Sequence, residues 1–544
     1  GEDEDILALS DPPYYTACPN PFIEDFVDEW EHARKQLGEE AVGEYHREPF
    51  VADVAEGKND PVYLAHGYHT KVPYRAIMRY ILHYTKPHDL VFDGFAGSGM
   101  TALAASACAS SEEVKKLNLT DVSFDIGPRN CILSEISPAA THVAHNFNSC
   151  TKKRLFAAVR EALDALNQKW RWMFETNHVA KNGSIEKGFI HYVVWSEVLI
   201  CPNCTNEFVF WEQAIDKQEG TVKAEFICPS CGKQLKKHNC ERATVTQFDR
   251  ESSSFFSEVR RVPVLINYSI GNRRYDKEPD AEDLATIRKI DELKIDFFYP
   301  DNQLILGDEI GRLESMGITS VAQLLSKRNN IVLGDFLRLT ETTTHGRLCL
   351  FILTASLTNL TWMYRWRANK KGGTISGTYY IGSTPQENNG LIQLERKLSD
   401  IEKALTRRSR AVITTQSSSS LPMGDGCVDY IFVDPPFGSN LMYSELNFVW
   451  ESWLKVFTNS ISEAIVNKSQ TKGLPEYHSL IHQCFSEFHR ILKPGCWMTV
   501  VFSNSQASVW NTIQEALQRA GFVIANVSAL DKKQGSFKAV TTTT

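Results

Sequence analysis

The chain has 544 residues, 42% of them hydrophobic and 23% charged, with 31 Gly and 21 Pro, an ordinary globular composition that excludes disordered, collagen-like and coiled-coil classes. A formal net charge of −8 argues against whole-surface attraction to nucleic acid and leaves room for a local basic face. No apolar run approaches the ~20 residues of a membrane-spanning helix, and the acidic start GEDEDILALSD is unlike a secretory signal, so a cytoplasmic protein is expected. Of 13 cysteines, most are scattered singly, which suits a reducing compartment.

In chain order, the first feature is Asp11-Pro12-Pro13-Tyr14, followed by Cys18-Pro19-Asn20-Pro21; residues 1–60 read as a rigid N-terminal arm. Residues 61–185 carry a strand–turn–helix–strand pattern. His69-Thr70-Lys71-Val72-Pro73 precedes a helix at Ala76–Tyr84, Asp89–Phe92 is a short strand, and Gly94–Gly99 is a glycine-rich turn. An Ala-rich helix follows at Met100–Ala109, then a strand at Cys131–Glu135 ending on an acid. Helical spacing of Leu155, Val159, Leu163 and Leu166 predicts a helix over about 152–174. Glycines let a backbone approach a ligand, and a helix N-terminus favours a negative group. Gly97-x-Gly99-x-x-Ala102 also fits a dinucleotide fingerprint, but the expected acid about 20 residues on is displaced to Glu135. A plain tight turn is the bland alternative.

The middle breaks this rhythm. Cys201-Pro-Asn-Cys204 and Cys228-Pro-Ser-Cys231 form two knuckles with the spacing of a closed tetrathiolate zinc ribbon, expected over 190–245 and structural because four protein ligands leave no open position. His238 and Cys240 read as surface residues. Residues 246–405 read as a target-recognition region. Its best nucleic-acid segment is Tyr364-Arg-Trp-Arg-Ala-Asn-Lys370-Lys371, where cations and aromatics interleave. Further basic candidates are Lys152 to Arg154, Lys233 with Lys236 and Lys237, Arg260-Arg261, Arg273-Arg274, and Arg407-Arg408 with Arg410. Taken singly, each of these pairs reads more readily as a solvated face than as a contact, so target recognition is assigned to the lobe and no base-specific role to a single residue. Leu348–Ala355 reads as buried strand or short helix.

Over 406–544 alternation returns, with strands at Arg410–Thr415, Asp429–Val433, Trp497–Phe502 and Phe522–Val527, and helices at Ser444–Val456 and Val509–Ala520. Strands alternating with helices predict an α/β, doubly wound parallel sheet interrupted by a long insertion. Asp434-Pro435-Pro436-Phe437 ends the second of these strands. Adjacent prolines hold the backbone extended with free carbonyls. A carboxylate and a carbonyl can therefore face one small group. An aromatic amine is a poor nucleophile because its lone pair is delocalised; two acceptors on its hydrogens favour pyramidal nitrogen and return that lone pair.

With these residues in place, the chain resembles the amino-group DNA methyltransferases, specifically an adenine-specific subgroup with a zinc ribbon between cofactor and amine motifs. The resemblance implies a Rossmann-like catalytic sheet interrupted by the ribbon and a recognition lobe. S-adenosylmethionine (SAM) would lie across Asp93, Phe95, Ala96, Gly97 and Gly99, with Thr101 opening the helix, Glu135 on the ribose hydroxyls, and His69 and Lys71 near the methionine end. It assigns Asp434 and the Pro436 carbonyl to the target amine, Pro435 to the rigid turn and Phe437 to base stacking. The implied reaction is methylation of adenine N6 on a base flipped out of DNA, with restriction or phage-defence proteins as partners of the class. Cytosine N4, an RNA guanine amine (Gly438 is present) and a non-catalytic scaffold are the rival readings. This chain departs from the family in having Gly94 for a common Pro, Met100 for a common Thr, and a hydroxyl near Ser420 where relatives often have an acid. Asp11 is a rival amine site that would make the enzyme permuted; the helices and strand after Phe437 favour Asp434. No last antiparallel strand is evident, so a truncated chain or an edge supplied otherwise is expected.

Overall fold

The structure, a computed structural model, describes residues 2–38, 45–50, 54–56, 60–119, 124–149, 153–216, 221–249, 254–340, 346–367, 369, 372–405, 409–502, 507–528 and 530–531. The expected basic residues Lys152, Lys370, Lys371, Arg407 and Arg408 lie outside them. The chain divides into two compact units, one made of Gly1–Lys153 with Ser399–Thr544 and the other of Arg154–Leu398. Among the described residues, no helix is long and apolar enough to cross a membrane.

The first unit is built on a six-stranded sheet. Its strands are β1 (Tyr15–Thr16), β2 (Leu90–Asp93), β3 (Asn130–Glu135), β4 (Ala411–Thr415), β5 (Val428–Val433) and β6 (Leu492–Val500). They lie in the order β1-β4-β3-β2-β5-β6, and every pairing is parallel. This mixed α/β unit with its parallel sheet matches the Rossmann-like expectation. β2, β4 and β5 are apolar and buried on both faces, the pattern parallel sheets require because helices cover both sides. On one side Phe92, Ile132, Val412 and Ile431 pack with Tyr477, Ile481, Phe485 and Phe488 from the helix Leu474–Ile491. Burying each such side chain contributes about 1.5–3 kcal/mol.

Two sequence expectations change. Residues 11–21 are more than an arm, because Tyr15 and Thr16 pair with Ile413 and Thr414 as the sheet's edge strand. Phe522–Val527 is not a strand: it is irregular, with Val523 89% and Val527 67% exposed. The sheet's six described strands are all parallel.

The second unit holds a seven-stranded sheet centred on the 16-residue strand Ile185–Ile200. Antiparallel to it run Glu175–Val179, Arg261–Ile270, Gln386–Asn388, Glu207–Val209 and Glu241–Arg242. Leu348–Ala355 falls inside the helix Gly346–Leu357. The two cysteine knuckles close the end of the long strand, with the small ladder Phe226–Ile227 to Gln234–Leu235 beside them.

Candidate active site

β2, β3 and β5 end on Asp93, Glu135 and the residue before Asp434, so parallel packing brings three carboxylates to one edge of the sheet. β2 leads on to β3 on one side, whereas β5 lies on the other. This is the topological switch point at which open α/β sheets bind ligands. A cleft of about 960 Å³ lies there, lined by Asp93, Gly94, Phe95, Ala96, Gly97, Thr101, Glu135, Lys71, Asp434 and Pro436 among others.

The glycine turn is held by its acids. Asp93 accepts from the Phe95 N–H at 3.1 Å and from the Thr101 hydroxyl at 2.5 Å. Glu135 accepts from the Gly97 N–H at 2.9 Å and from the N–H groups of Ile136 and Ser137 at 2.9 and 3.2 Å. Burial pushes the Asp93 carboxyl up to about 7, against the pull of its Thr101 and Phe95 hydrogen bonds and with the charges of Asp434 and Glu135 adding to the rise. Glu135 is raised by burial too, opposed by its three N–H donors. The cleft is thus rich in carboxylates, which suits a cationic ligand.

The two glycines differ in purpose. Gly97 has φ +48° and lines the cleft, and a Cβ there would meet the Tyr68 ring at 3.3 Å. Gly99 has φ +76° and packs on the helix Pro138–Asn148: a Cβ would lie 2.7 Å from Ala144 Cβ and 2.9 Å from its Cα. Gly99 does not line the cleft. The departure at Gly94 is also explained, since a Cβ there would come within 2.3 Å of the Phe488 ring.

Asp434 is half-buried and faces the cleft beside Pro436. The Pro436 carbonyl accepts from the Tyr477 hydroxyl at 2.7 Å, which leaves its second lone pair. Phe437 is buried edge-to-face against Phe502, ring centroids 5.1 Å apart, and neither it nor Pro435 lines the cleft. His69 Nε2 lies 2.9 Å from Asn447 Oδ1 outside the lining, and burial lowers its pKa to about 4, so it is neutral at pH 7. Lys71 lines the cleft, but its amine donates to the carbonyls of Tyr63 and His66 at 3.1 and 2.5 Å. The hydroxyl expected near Ser420 is supplied by Ser417 and Ser418; Ser418 Oγ donates to the Gly94 carbonyl at 2.7 Å. Sequence reasoning missed Tyr477, Tyr68, Tyr443, Asn447 and Glu463, which carry no motif and reach the site only through the fold.

Asp11 is placed differently. It folds back in an antiparallel bridge with Tyr15 of β1 on the sheet's far edge, outside the cleft lining, and His145 Nε2 lies 3.4 Å from its carboxylate. Three strands separate β1 from β5.

In the second unit the sulfurs of Cys201, Cys204, Cys228 and Cys231 all lie within 4.8 Å of one another. The Cys201–Cys231 and Cys204–Cys228 separations are 3.8 and 3.7 Å. A tetrahedron with Zn–S bonds of about 2.3 Å has sulfur edges of about 3.8 Å, so the four thiols fit zinc. The knuckles are matched turns: Thr205 N–H donates to the Cys201 carbonyl and Gly232 N–H to the Cys228 carbonyl, both with positive φ. Cys240 stands outside this cluster.

No curated protein and no solved structure matches the chain. Residues 4–141 match the N6_N4_Mtase family model, described as DNA methylase. That stretch contains both Asp11-Pro-Pro-Tyr14 and the glycine turn and ends before Asp434, so the choice between the two Asp-Pro-Pro motifs rests on the placement of their strands. The match supports a DNA methyltransferase of the N6 or N4 amino type, without separating the two.

Proposed function

We propose that the chain is a SAM-dependent DNA methyltransferase acting on the exocyclic N6 amine of an adenine flipped into the cleft, with a structural zinc in the four-cysteine ribbon. The observation that carries this reading is that Asp434 and Pro436 line the same cleft as Asp93, Gly97 and Glu135. SAM supplies an electrophilic methyl carbon on a sulfonium. The excess of carboxylates in the cleft suits that cation, and Glu135, fixed by three backbone donors, is placed to accept from ribose hydroxyls. Asp434 and the Pro436 carbonyl accept the two amine hydrogens, which favours a pyramidal nitrogen with its lone pair available. Tyr477 holds the Pro436 carbonyl in position, and Asp434 takes the proton that the amine sheds after transfer. The Phe437 ring, packed on Phe502, supports the turn; Tyr443, at the cleft wall, is the better placed aromatic face for the base. Target reading falls to the Arg154–Leu398 unit.

The test is incubation of the protein with SAM and unmethylated genomic DNA, followed by nucleoside mass spectrometry and sequencing-based mapping. N6-methyladenine in a defined sequence is the expected product. N4-methylcytosine would reassign the base, and no methylated nucleoside would overturn the reading.

A further inference from the structure

Extracting a base from a duplex leaves a gap, and proteins that deform DNA commonly fill such gaps with an exposed apolar side chain. Ile461 is 81% exposed. It sits in the single turn Ser460–Ser462, between Thr458 and Ser462, Glu463 and Ala464, which line the cleft. Among the described residues, no other exposed large apolar side chain is flanked by cleft residues in this way.

The turn that carries it is braced. The Asn459 side chain accepts from the Ile461 N–H at 3.2 Å. Lys472 Nζ donates to the carbonyls of Ser460 and Glu463 at 2.5 and 2.8 Å. The Glu463 carboxylate accepts from the Ser444 N–H and hydroxyl at 3.0 and 2.7 Å and from Gln470 at 2.7 Å. These bonds fix the backbone of the turn on both sides of the isoleucine. A rigid presentation removes the ordering cost that a mobile wedge would incur on binding. Lys468, exposed on the adjoining turn, adds a cation suited to a phosphate.

We propose that Ile461 is a wedge that enters the base stack in the space left by the flipped base, an inference that rests on the methyltransferase reading above. Because the residue is exposed, Ile461→Ala leaves the fold and SAM affinity unchanged. Methyl transfer is measured on a duplex oligonucleotide carrying the mapped site, and on the same duplex with the nucleotide opposite the target made abasic. Ile461→Ala is expected to slow transfer on the intact duplex roughly tenfold or more, because unstacking then goes uncompensated. It should recover to within about threefold of the wild type on the abasic duplex, where the target is already loose. Ile461→Leu, which keeps the bulk, should stay near wild type on both. Equal rates for Ile461→Ala and wild type on the intact duplex would overturn the proposal, as would an equal deficit on both duplexes. A change in oligomeric state with unchanged DNA kinetics would also overturn it, by assigning Ile461 to a protein contact. A wild-type chain that methylates no DNA would instead remove the underlying reading.

Discussion

Gly97 and Gly99 sit two residues apart in one turn, yet the structure gives them separable roles, and replacing each by alanine should separate stability from ligand binding. At Gly99 the new Cβ would stand 2.7 Å from Ala144 Cβ and 2.9 Å from Ala144 Cα, so the two helices must part. Left-handed backbone at φ +76° costs about 1–2 kcal/mol for an L-residue, and overpacking a tight contact adds about 1–3 kcal/mol. Gly99→Ala should therefore destabilise this unit by about 2–5 kcal/mol, a fall of roughly 3–8 °C in its melting transition. At Gly97 the Cβ meets only the Tyr68 ring at 3.3 Å, a side chain that can move, so the stability loss is about 1–2 kcal/mol of backbone strain. Gly97 lines the cleft, and its N–H anchors Glu135, so SAM affinity should fall roughly tenfold or more, equivalent to about 1.4 kcal/mol. Differential scanning calorimetry and isothermal titration of SAM read the two effects. If Gly97→Ala bound SAM normally, or Gly99→Ala melted like wild type, the division of labour would be refuted.

Metal analysis should find one zinc per chain, lost in Cys228→Ser; a folded wild-type protein without metal would reject the ribbon. Tyr477→Phe removes the donor on the Pro436 carbonyl, and one hydrogen bond of about 1 kcal/mol corresponds to a roughly fivefold lower kcat with SAM affinity unchanged; wild-type kcat would show that the carbonyl is held otherwise. Burial raises the Asp93 carboxyl from 3.8 to about 7, so its neutral form favours the folded, ligand-free protein at low pH, and that contribution is lost as pH rises through about 7. A bound cation favours the carboxylate instead. SAM should therefore bind more tightly at pH 8 than at pH 6, and a flat or reversed titration profile would contradict binding of a cation among these carboxylates.

The parallel sheet was legible because its strands are short apolar runs, three of them ending at Asp93, Glu135 and Val433, with helices between most of them. Asp434 could be preferred over Asp11 by the helices and strand downstream of it; in the fold Asp434 lines the cleft, whereas Asp11 sits beside β1, separated from β5 by three strands, outside the lining. The features that escaped were non-local. Tyr15 and Thr16 become a strand only because Ile413 and Thr414, some 400 residues on, offer free backbone groups. Phe522–Val527 has strand-like residues but stays irregular, although β6 is an edge strand with one neighbour among the described residues. The long antiparallel strand Ile185–Ile200 mixes buried and exposed residues along its length, so its pattern reads as several pieces. The purposes of Gly97 and Gly99 likewise depend on Tyr68 and Ala144, which sequence spacing does not bring near them.

Paired single substitutions probe the proposed grip on the amine at Asp434, beside the glycine turn. Methyl transfer to DNA and SAM binding should be measured together for Asp434→Ala and Asp11→Ala. Asp434→Ala is expected to bind SAM yet transfer no methyl group, while Asp11→Ala, which removes a carboxylate facing His145 on the far edge, remains active. Full turnover by Asp434→Ala, or loss of turnover in a folded, SAM-binding Asp11→Ala, would contradict the grip at Asp434.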